Sequence, residues 1–248
     1  MKFLEYSHFS LYTFSIFERF PDVRAFISTR KNESKGLTTD TSSGESDTAE
    51  QRRTHWLQSL GIKPDEVAGV QQVHSNRIIY VRRPGFTKEA DAQITDRKDL
   101  YLRVDTADCL PVFLYDKQTG VVGLVHAGWR GLKQNIVQRA VEKMCDTFST
   151  DTSDIFAGVG PYIHKCCYVV GDEVALLFSE KCSSNERGMK YYLDLGCVVR
   201  GEFENARVPL DQVEISDACT SCNSEYFHSY RRDGIKAGRI ISIFGVSS

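Results

Sequence analysis

The sequence contains no long apolar run and no excess of charge of either sign. No stretch approaches the ~20 apolar residues that a membrane span requires, and the first twenty residues lack the apolar core and cleavage site of a secretory signal. The 31 basic and 33 acidic residues give the 248-residue chain a net charge of -2, which argues against nucleic acid or an anionic membrane as a partner. We therefore expect a cytoplasmic protein that binds small molecules, and a monomer by default.

Histidine is scarce as well, with six residues and no His-x-His pair, whereas cysteine is not, with eight residues. A chain of this length without an export signal is expected to keep its thiols reduced. We predict eight reduced thiols. Within them, the Cys219 and Cys222 pair is interpreted as structural or incidental, and Cys166 and Cys167 as buried thiols.

Short β-branched and aromatic runs separated by turn residues indicate strands, and apolar residues at helical spacing indicate helices. The predicted strands cover residues 23–28, 67–73, 78–81, 100–104, 112–115, 121–126, 155–159 and 239–244, and the predicted helices 47–60, 131–148 and 172–178. Such a mixture predicts a layered α+β fold, in one catalytic domain over residues 1–248. The polar segment 31–50 is predicted to be a loop, either an active-site cover or disordered.

Three histidines, His74, His126 and His228, stand at strand ends or beside turn residues, where a side chain can face a pocket. Cys109 lies in the segment DTADCLPV, 35 residues after His74 and 17 before His126. One thiolate and two imidazoles suit a catalytic zinc ion, because three protein ligands leave a fourth position open. A metal-free nucleophile, in which a histidine activates Cys109, uses the same residues and stays open.

Several segments together resemble the polyphenol-oxidase-like, or laccase-domain, family, whose members are regarded as purine nucleoside enzymes. The matching segments are residues 72–74 (QVH), 90–92 (ADA), 106–112 (TADCLPV), 126–131 (HAGWRG), 160–161 (GP), 167–168 (CY), 229–233 (SYRRD) and 238–239 (GR). The combination of TADCLPV with HAGWRG at this spacing is highly specific.

The resemblance implies phosphorolysis of adenosine, inosine, guanosine and methylthioadenosine to the free base and ribose-1-phosphate or methylthioribose-1-phosphate. It also implies zinc-assisted deamination of adenosine, so that the partners are purine nucleosides and inorganic phosphate. His74, Cys109 and His126 fall on the family's metal-binding triad. The implied fold is a single α+β domain with mixed sheets in a layered α/β/β/α architecture.

Four further residues are candidates for the site that the resemblance implies. Arg30 is the first candidate for binding phosphate and Arg130 the second, while Gln72 would contact the base or orient His74. Asp108 is expected to accept a hydrogen bond from a ligand histidine, which would fix its orientation. The chain departs from the family pattern after Arg30, where residues 31–36 (KNESKG) replace a glycine-rich turn. Arg231 and Arg232 are interpreted as part of a solvated turn.

Other functions are compatible with parts of this pattern. A copper-dependent polyphenol oxidase is disfavoured, because multicopper oxidases bind their ions with about ten histidines in repeated His-x-His pairs. A hydrolase that edits peptidoglycan precursors, by zinc or by Cys-His chemistry, is the main alternative. A binding module without catalysis is disfavoured by the complete triad.

Overall fold

The fold is built on two large mixed sheets and one small sheet. The computed structural model describes residues 3–5, 10–30, 49–186 and 190–248. The strands are β1 (Phe3–Glu5), β2 (Ser10–Tyr12), β3 (Val23–Ser28), β4 (Val67–Val70), β5 (Ile78–Tyr80), β6 (Gly85–Thr87), β7 (Ala92–Thr95), β8 (Tyr101–Thr106), β9 (Leu110–Asp116), β10 (Val122–Ala127), β11 (Ile155–Val159), β12 (Val169–Val170), β13 (Ser183–Glu186), β14 (Lys190–Leu193), β15 (Val213–Ile215) and β16 (Ile240–Val246). The helices are α1 (Ala49–Ser59), α2 (Trp129–Lys133), α3 (Ile136–Phe148), α4 (Asp172–Ala175), α5 (Leu195–Asn205) and α6 (Tyr230–Asp233).

The first sheet has the order β1-β2-β3-β16-β8-β4-β6, and the second has the order β15-β11-β9-β10-β7-β5. Most neighbouring strands are antiparallel, but β4 runs parallel to β8 and β6, β5 to β7, and β15 to β11. Strands β12, β14 and β13 form the small antiparallel sheet. The mixed connectivity confirms the predicted mixed sheets.

Apolar side chains from both large sheets meet in one central core. Leu102 and Phe244 of the first sheet pack in the same cluster as Phe113 and Leu124 of the second, and all four are buried. Burial on both faces explains why β9 and β10 are almost continuously apolar, since each strand contacts the other sheet on one side and helices on the other.

Helices cover the outer faces of the two sheets. Trp56 of α1 packs against the first sheet beside Ile243, while α3 and α5 place Met144 and Phe203 on the outer face of the second sheet. The order of layers is therefore α/β/β/α, which confirms the predicted architecture. Within the described ranges, no helix has the length and apolar character needed to cross a membrane.

The helix predicted over residues 131–148 is two helices, because the chain turns sharply between α2 and α3. Asn135 adopts a left-handed backbone conformation with φ of 57°, which ends one helix and begins the next. In the first turn of α3, the N–H groups of Val137 and Gln138 donate to the Glu202 carboxylate of α5 at 2.8 and 3.1 Å. A distant acidic side chain thus supplies the cap that local sequence lacks.

The structure changes several other predictions. Short strands such as β7 and β15 and the helix α5 were not predicted from the sequence, while the loop predicted at 31–50 lies outside the described residues except for the start of α1. Cys182 and Cys197 form a disulfide with a Cα–Cα distance of 5.4 Å, so the prediction of eight reduced thiols is wrong. Folding brings β13 against the start of α5, and local sequence gives no sign of that contact. Cys166 is exposed rather than buried.

Candidate metal centre

Three separate segments place His74, Cys109 and His126 together. His74 lies in the turn after β4, Cys109 in the turn between β8 and β9, and His126 near the end of β10. Because β9 and β10 are antiparallel, with Leu110 opposite Ala127, the start of one strand lies beside the end of the other. The ligand atoms of the three side chains lie within 4.8 Å of one another. The spatial cluster predicted from the sequence is present.

The geometry of this triad fits a single metal ion. Cys109 Sγ lies 3.9 Å from His74 Nε2, and the two imidazole rings are 4.8 Å apart at 76°. Zinc bonds of about 2.3 Å to sulfur and about 2.0 Å to nitrogen place tetrahedral ligand atoms roughly 3.5 Å apart. His126 is buried, Cys109 half-buried and His74 exposed, so one side of the cluster is open to a substrate or water.

The carboxylate of Asp91 organises two members of the triad. It is fully buried and accepts a 2.8 Å hydrogen bond from His126 Nδ1, which leaves Nε2 of that ring as the ligand atom. The same carboxylate accepts the backbone N–H groups of Val73, His74 and Ser75 and the Ser75 hydroxyl. These bonds hold His74 in a left-handed conformation with φ of 58°, which is uncommon for a residue with a side chain.

The charges within the site are strongly coupled. Burial opposes ionisation of the Cys109 thiol, but the positive charge on His126 and hydrogen bonds from both histidines outweigh it and lower the pKa of Cys109 to about 6. Burial also opposes charge on His126, yet the Cys109 thiolate and the Asp91 hydrogen bond raise its pKa to about 9. Both shifts favour a thiolate on Cys109 and an imidazolium on His126. The thiolate is the form of cysteine that binds metals and acts as a nucleophile.

Gly128 keeps the space beside the ligands open. A Cβ atom at this position would lie 2.9 Å from Cys109 Sγ and 3.0 Å from His74 Cδ2, closer than van der Waals contact permits. The glycine in the HAGWRG segment is required by this close approach of the backbone to the triad.

The triad lines a cavity of about 530 Å³. Its other walls carry three arginines and three large aromatic side chains, namely Arg130, Arg231, Arg239, Trp129, Tyr168 and Tyr230. The Arg231 guanidinium donates to the Val169 carbonyl at 2.5 Å and lies 5.0 Å from the centre of the Tyr168 ring. Arg130 lies in the same way over Trp129, at 4.4 Å. The cavity wall therefore combines three guanidinium groups and three aromatic rings with the carboxylates of Asp105 and Asp108.

The remaining predicted site residues differ in their placement. Arg130 and Gln72 line the cavity, although the Gln72 amide is engaged with the backbone of Asp105 through both its oxygen and its nitrogen. Arg30 is not among the residues that line the cavity, and its guanidinium lies 3.8 Å from the Asp233 carboxylate.

Asp108 has a different partner from the one predicted. Its carboxylate accepts a 2.6 Å hydrogen bond from the Thr220 hydroxyl and another of 2.6 Å from the backbone N–H of Arg231. The carboxylate that binds a ligand histidine is that of Asp91. Asp108 itself has a φ of 90°, so the chain turns at this residue just before Cys109.

Sequence reasoning also missed Arg231, Arg239 and Tyr168 as parts of the cavity. Arg231 and Arg239 lie 122 and 130 residues beyond Cys109, and only packing of the C-terminal segment against the turn at Asp108 brings them to the site. Asp91, Tyr168 and Arg231 lie in the segments ADA, CY and SYRRD, which match the family pattern. Their place in these segments was the sequence feature that could have indicated a role in the site.

Comparison with known proteins shows the family to which the chain belongs. Residues 25–247 match the family described as multi-copper polyphenol oxidoreductase laccase, and the chain belongs to this family. A purine nucleoside phosphorylase of Clostridium acetobutylicum is 36% identical over 182 residues, 71% of this chain and 75% of that one. The adenosine deaminase RL5 from an unknown prokaryotic organism is 32% identical over 73% of this chain and 75% of its own.

The fold itself is similar to that of a solved structure. The crystal structure of the hypothetical protein YfiH of Bacillus licheniformis has a TM-score of 0.84 and 30% sequence identity, with 93% of this chain and 95% of that one covered. The α/β/β/α arrangement is therefore shared with that solved structure.

Proposed function

We propose that the protein is a purine nucleoside phosphorylase that also deaminates adenosine. Its substrates would be adenosine, inosine, guanosine and methylthioadenosine, with inorganic phosphate as the second reactant. The observation that carries this proposal is the meeting of the His74, Cys109 and His126 ligand set with three arginines in one cavity. Relatives named purine nucleoside phosphorylase and adenosine deaminase support it.

The cavity has the size and lining that a nucleoside requires. A volume of about 530 Å³ falls within the range of small-molecule sites, about 300–1,000 Å³. Aromatic faces such as those of Tyr168 and Tyr230 can stack on a purine. The guanidinium groups and aromatic rings of the wall match two ligands, an inorganic phosphate and a nucleoside with a flat base.

The arginines supply the environment that phosphorolysis needs. Phosphate must be held beside C1′ of the ribose while positive charge develops on the sugar, and guanidinium groups bind phosphate through paired N–H donors. Arg231 is held in place by its bond to the Val169 carbonyl, so it is already oriented before an anion arrives. We assign phosphate binding to Arg130, Arg231 and Arg239 in preference to Arg30.

Deamination uses the triad. His74, Cys109 and His126 would hold a zinc ion, which supplies a Lewis acid that activates water for attack on C6 of adenine. Asp91 keeps the imidazole of His126 oriented toward the ion through the bond to Nδ1. Binding of the ion requires loss of the proton from His126, and the lowered pKa of Cys109 already provides the thiolate.

The central test is an assay of the purified protein with adenosine and phosphate. The expected products are adenine and ribose-1-phosphate, together with inosine from deamination, separated by liquid chromatography. Base release that does not depend on phosphate, or no base release at all, would refute phosphorolysis. A peptidoglycan precursor that is hydrolysed while nucleosides are not would establish the alternative.

Two sets of variants separate the roles of the residues. Arg239→Ala should raise the KM for phosphate at least tenfold and leave the KM for adenosine within about twofold, while the surface variant Arg139→Ala should change neither. Metal analysis of the parent and of Cys109→Ala should show that the variant loses one zinc ion. Copper in the parent, or full activity without any metal, would contradict the zinc assignment.

A further inference from the structure

A second group of sulfur ligands lies outside the cavity of the triad. The Sγ atoms of Cys166, Cys167, Cys219 and Cys222 all lie within 4.8 Å of one another, and none of these cysteines belongs to the disulfide. We propose that this four-cysteine cluster binds one zinc ion as a structural site, independent of the triad and of the proposed activity.

The topology of the second sheet explains how the cluster forms. Strands β11 and β15 pair in parallel, so the loops that follow them leave the same edge of the sheet. The pairing continues beyond the strands through a bridge between Tyr162 and Cys219, where the Thr220 N–H donates to the Tyr162 carbonyl at 2.9 Å. The loop after β11 brings one cysteine pair, and the loop after β15 brings the other.

The distances within the cluster are those of a tetrahedral thiolate site. Cys166 Sγ lies 3.7 Å from both Cys167 Sγ and Cys222 Sγ. The distance between Cys167 Sγ and Cys222 Sγ is 3.3 Å. Four sulfurs around one zinc ion at about 2.3 Å lie about 3.8 Å from each other. A disulfide would join only two of these atoms, at about 2.05 Å, and would not require the other two to converge.

The environment of the sulfurs also suits a bound ion. Cys219 is buried and accepts an N–H bond from the His164 backbone at 3.4 Å, a contact that stabilises a thiolate ligand. Cys166 and Cys222 are exposed, so an ion can enter from solvent. The cluster thus has a fixed inner ligand and two accessible outer ligands.

The ligand set selects the metal and the type of site. Thiolates favour soft ions, and a closed set of four cysteines is typical of structural zinc, because no position remains for water. The cluster is too compact for a cage of several iron atoms, since all four sulfurs lie within 4.8 Å of one another.

A zinc ion here would hold two parts of the cavity wall. Thr220, between the two cysteines of the second loop, donates to the carboxylate of Asp108, next to the triad member Cys109. Tyr168 follows Cys167 directly and lines the cavity. As a structural site, the four-cysteine cluster would therefore fix these two loops against each other and against the turn at Asp108.

The first experiment counts zinc in the full-length protein. The parent should carry two zinc ions per chain, one for each ligand group, and Cys222→Ser should carry one fewer. The matched control is Cys145→Ser, which alters a free cysteine outside both groups and should leave the zinc content unchanged. An unaltered zinc content in Cys222→Ser would overturn the proposal.

The second experiment examines the cluster in Cys109→Ala, where the triad has lost its thiolate. X-ray absorption at the zinc edge should then show a shell of sulfur alone at about 2.3 Å, whether or not the triad binds zinc and whether or not nucleosides are cleaved. A shell rich in nitrogen or oxygen, iron in place of zinc, or a disulfide that mass spectrometry of the non-reduced protein assigns to two of the four cluster cysteines would each overturn the proposal.

Removal of this ion should also be visible as a loss of stability. A strong chelator should lower the melting temperature of Cys109→Ala by roughly 5–10 °C, and added zinc should restore it. In Cys109→Ala/Cys222→Ser the chelator should have no effect. An equal chelator effect in both proteins would place the stabilising ion elsewhere.

Discussion

Replacement of Asp91 by asparagine provides the most direct test of how the triad is held. The two side chains have the same shape, but an amide presents a donor where the carboxylate presents an acceptor. In the first orientation the amide NH₂ group replaces the carboxylate oxygen that accepts from His74 and His126. In the second it replaces the oxygen that accepts from Val73 and Ser75. In both orientations the NH₂ group therefore faces N–H donors. In the first orientation the amide would donate to Nδ1 of His126. The ring would then carry its proton on Nε2, the atom that faces Cys109.

Two contributions set the size of the expected loss of stability. Burial alone would raise the pKa of Asp91, but hydrogen bonds from His126 and Ser75 outweigh it and lower the pKa from 3.8 to about 2, which corresponds to about 2 kcal/mol in favour of the ionised form. Leaving one or two buried N–H groups without an acceptor costs about 1–3 kcal/mol each. We expect Asp91→Asn to lower the free energy of unfolding by about 2–4 kcal/mol, and zinc affinity at the triad by about 10–100-fold.

The pH dependence of the parent follows the same carboxylate. The pKa of Asp91 is lower in the folded state than in the unfolded state. Its contribution to the free energy of unfolding is therefore fully present above about pH 4 and is lost as the pH falls toward 2. Asp91→Asn should lack this part of the acid sensitivity.

The assay combines urea denaturation with competition for zinc against a chelator. The matched control is Asp116→Asn, because Asp116 is also fully buried and accepts two backbone N–H groups and a threonine hydroxyl in a turn, but touches no histidine. The control should lose stability and keep its zinc affinity. An Asp91→Asn protein with both the stability and the zinc affinity of the parent would refute the reasoning.

Three further predictions concern other parts of the molecule. Gly128→Ala should weaken zinc binding at the triad at least tenfold with the fold retained by circular dichroism, because its Cβ would lie 2.9 Å from Cys109 Sγ; unchanged binding would mean that the backbone can withdraw. Burial raises the pKa of Glu202 from 4.5 to about 7, so the free energy of unfolding of the parent should fall as the pH rises from about 4.5 to 7. Urea denaturation at about pH 5 and about pH 8 should show this fall in the parent and not in Glu202→Gln. The double variant Cys182→Ser/Cys197→Ser should lose about 3 kcal/mol, as expected for a cross-link spanning 15 residues; the same loss in the parent under a reducing agent would confirm the cause, and no loss in either would contradict it.

Much of the architecture was predictable because it depends on local pattern. The strands β3 and β11 coincide with apolar runs that the sequence shows directly, since burial on both faces requires such runs. Short strands such as β7 and β15 have only three or four residues and were missed, because their pairing partners rather than their own composition hold them in place. The break between α2 and α3 was missed for a related reason, since the cap that stabilises it comes from Glu202.

The sequence by itself predicted which residues lie together in the triad. His74, Cys109 and His126 are the residue types that bind zinc, and they stand in specific segments beside strand ends. Their supporting groups were decided only by tertiary structure. Asp91 rather than Asp108 holds the ligand histidine, because hydrogen-bond partners depend on where side chains point after folding. Likewise Cys166 and Cys222 are 56 residues apart in the chain and 3.7 Å apart in space, because two parallel strands end at the same edge of one sheet.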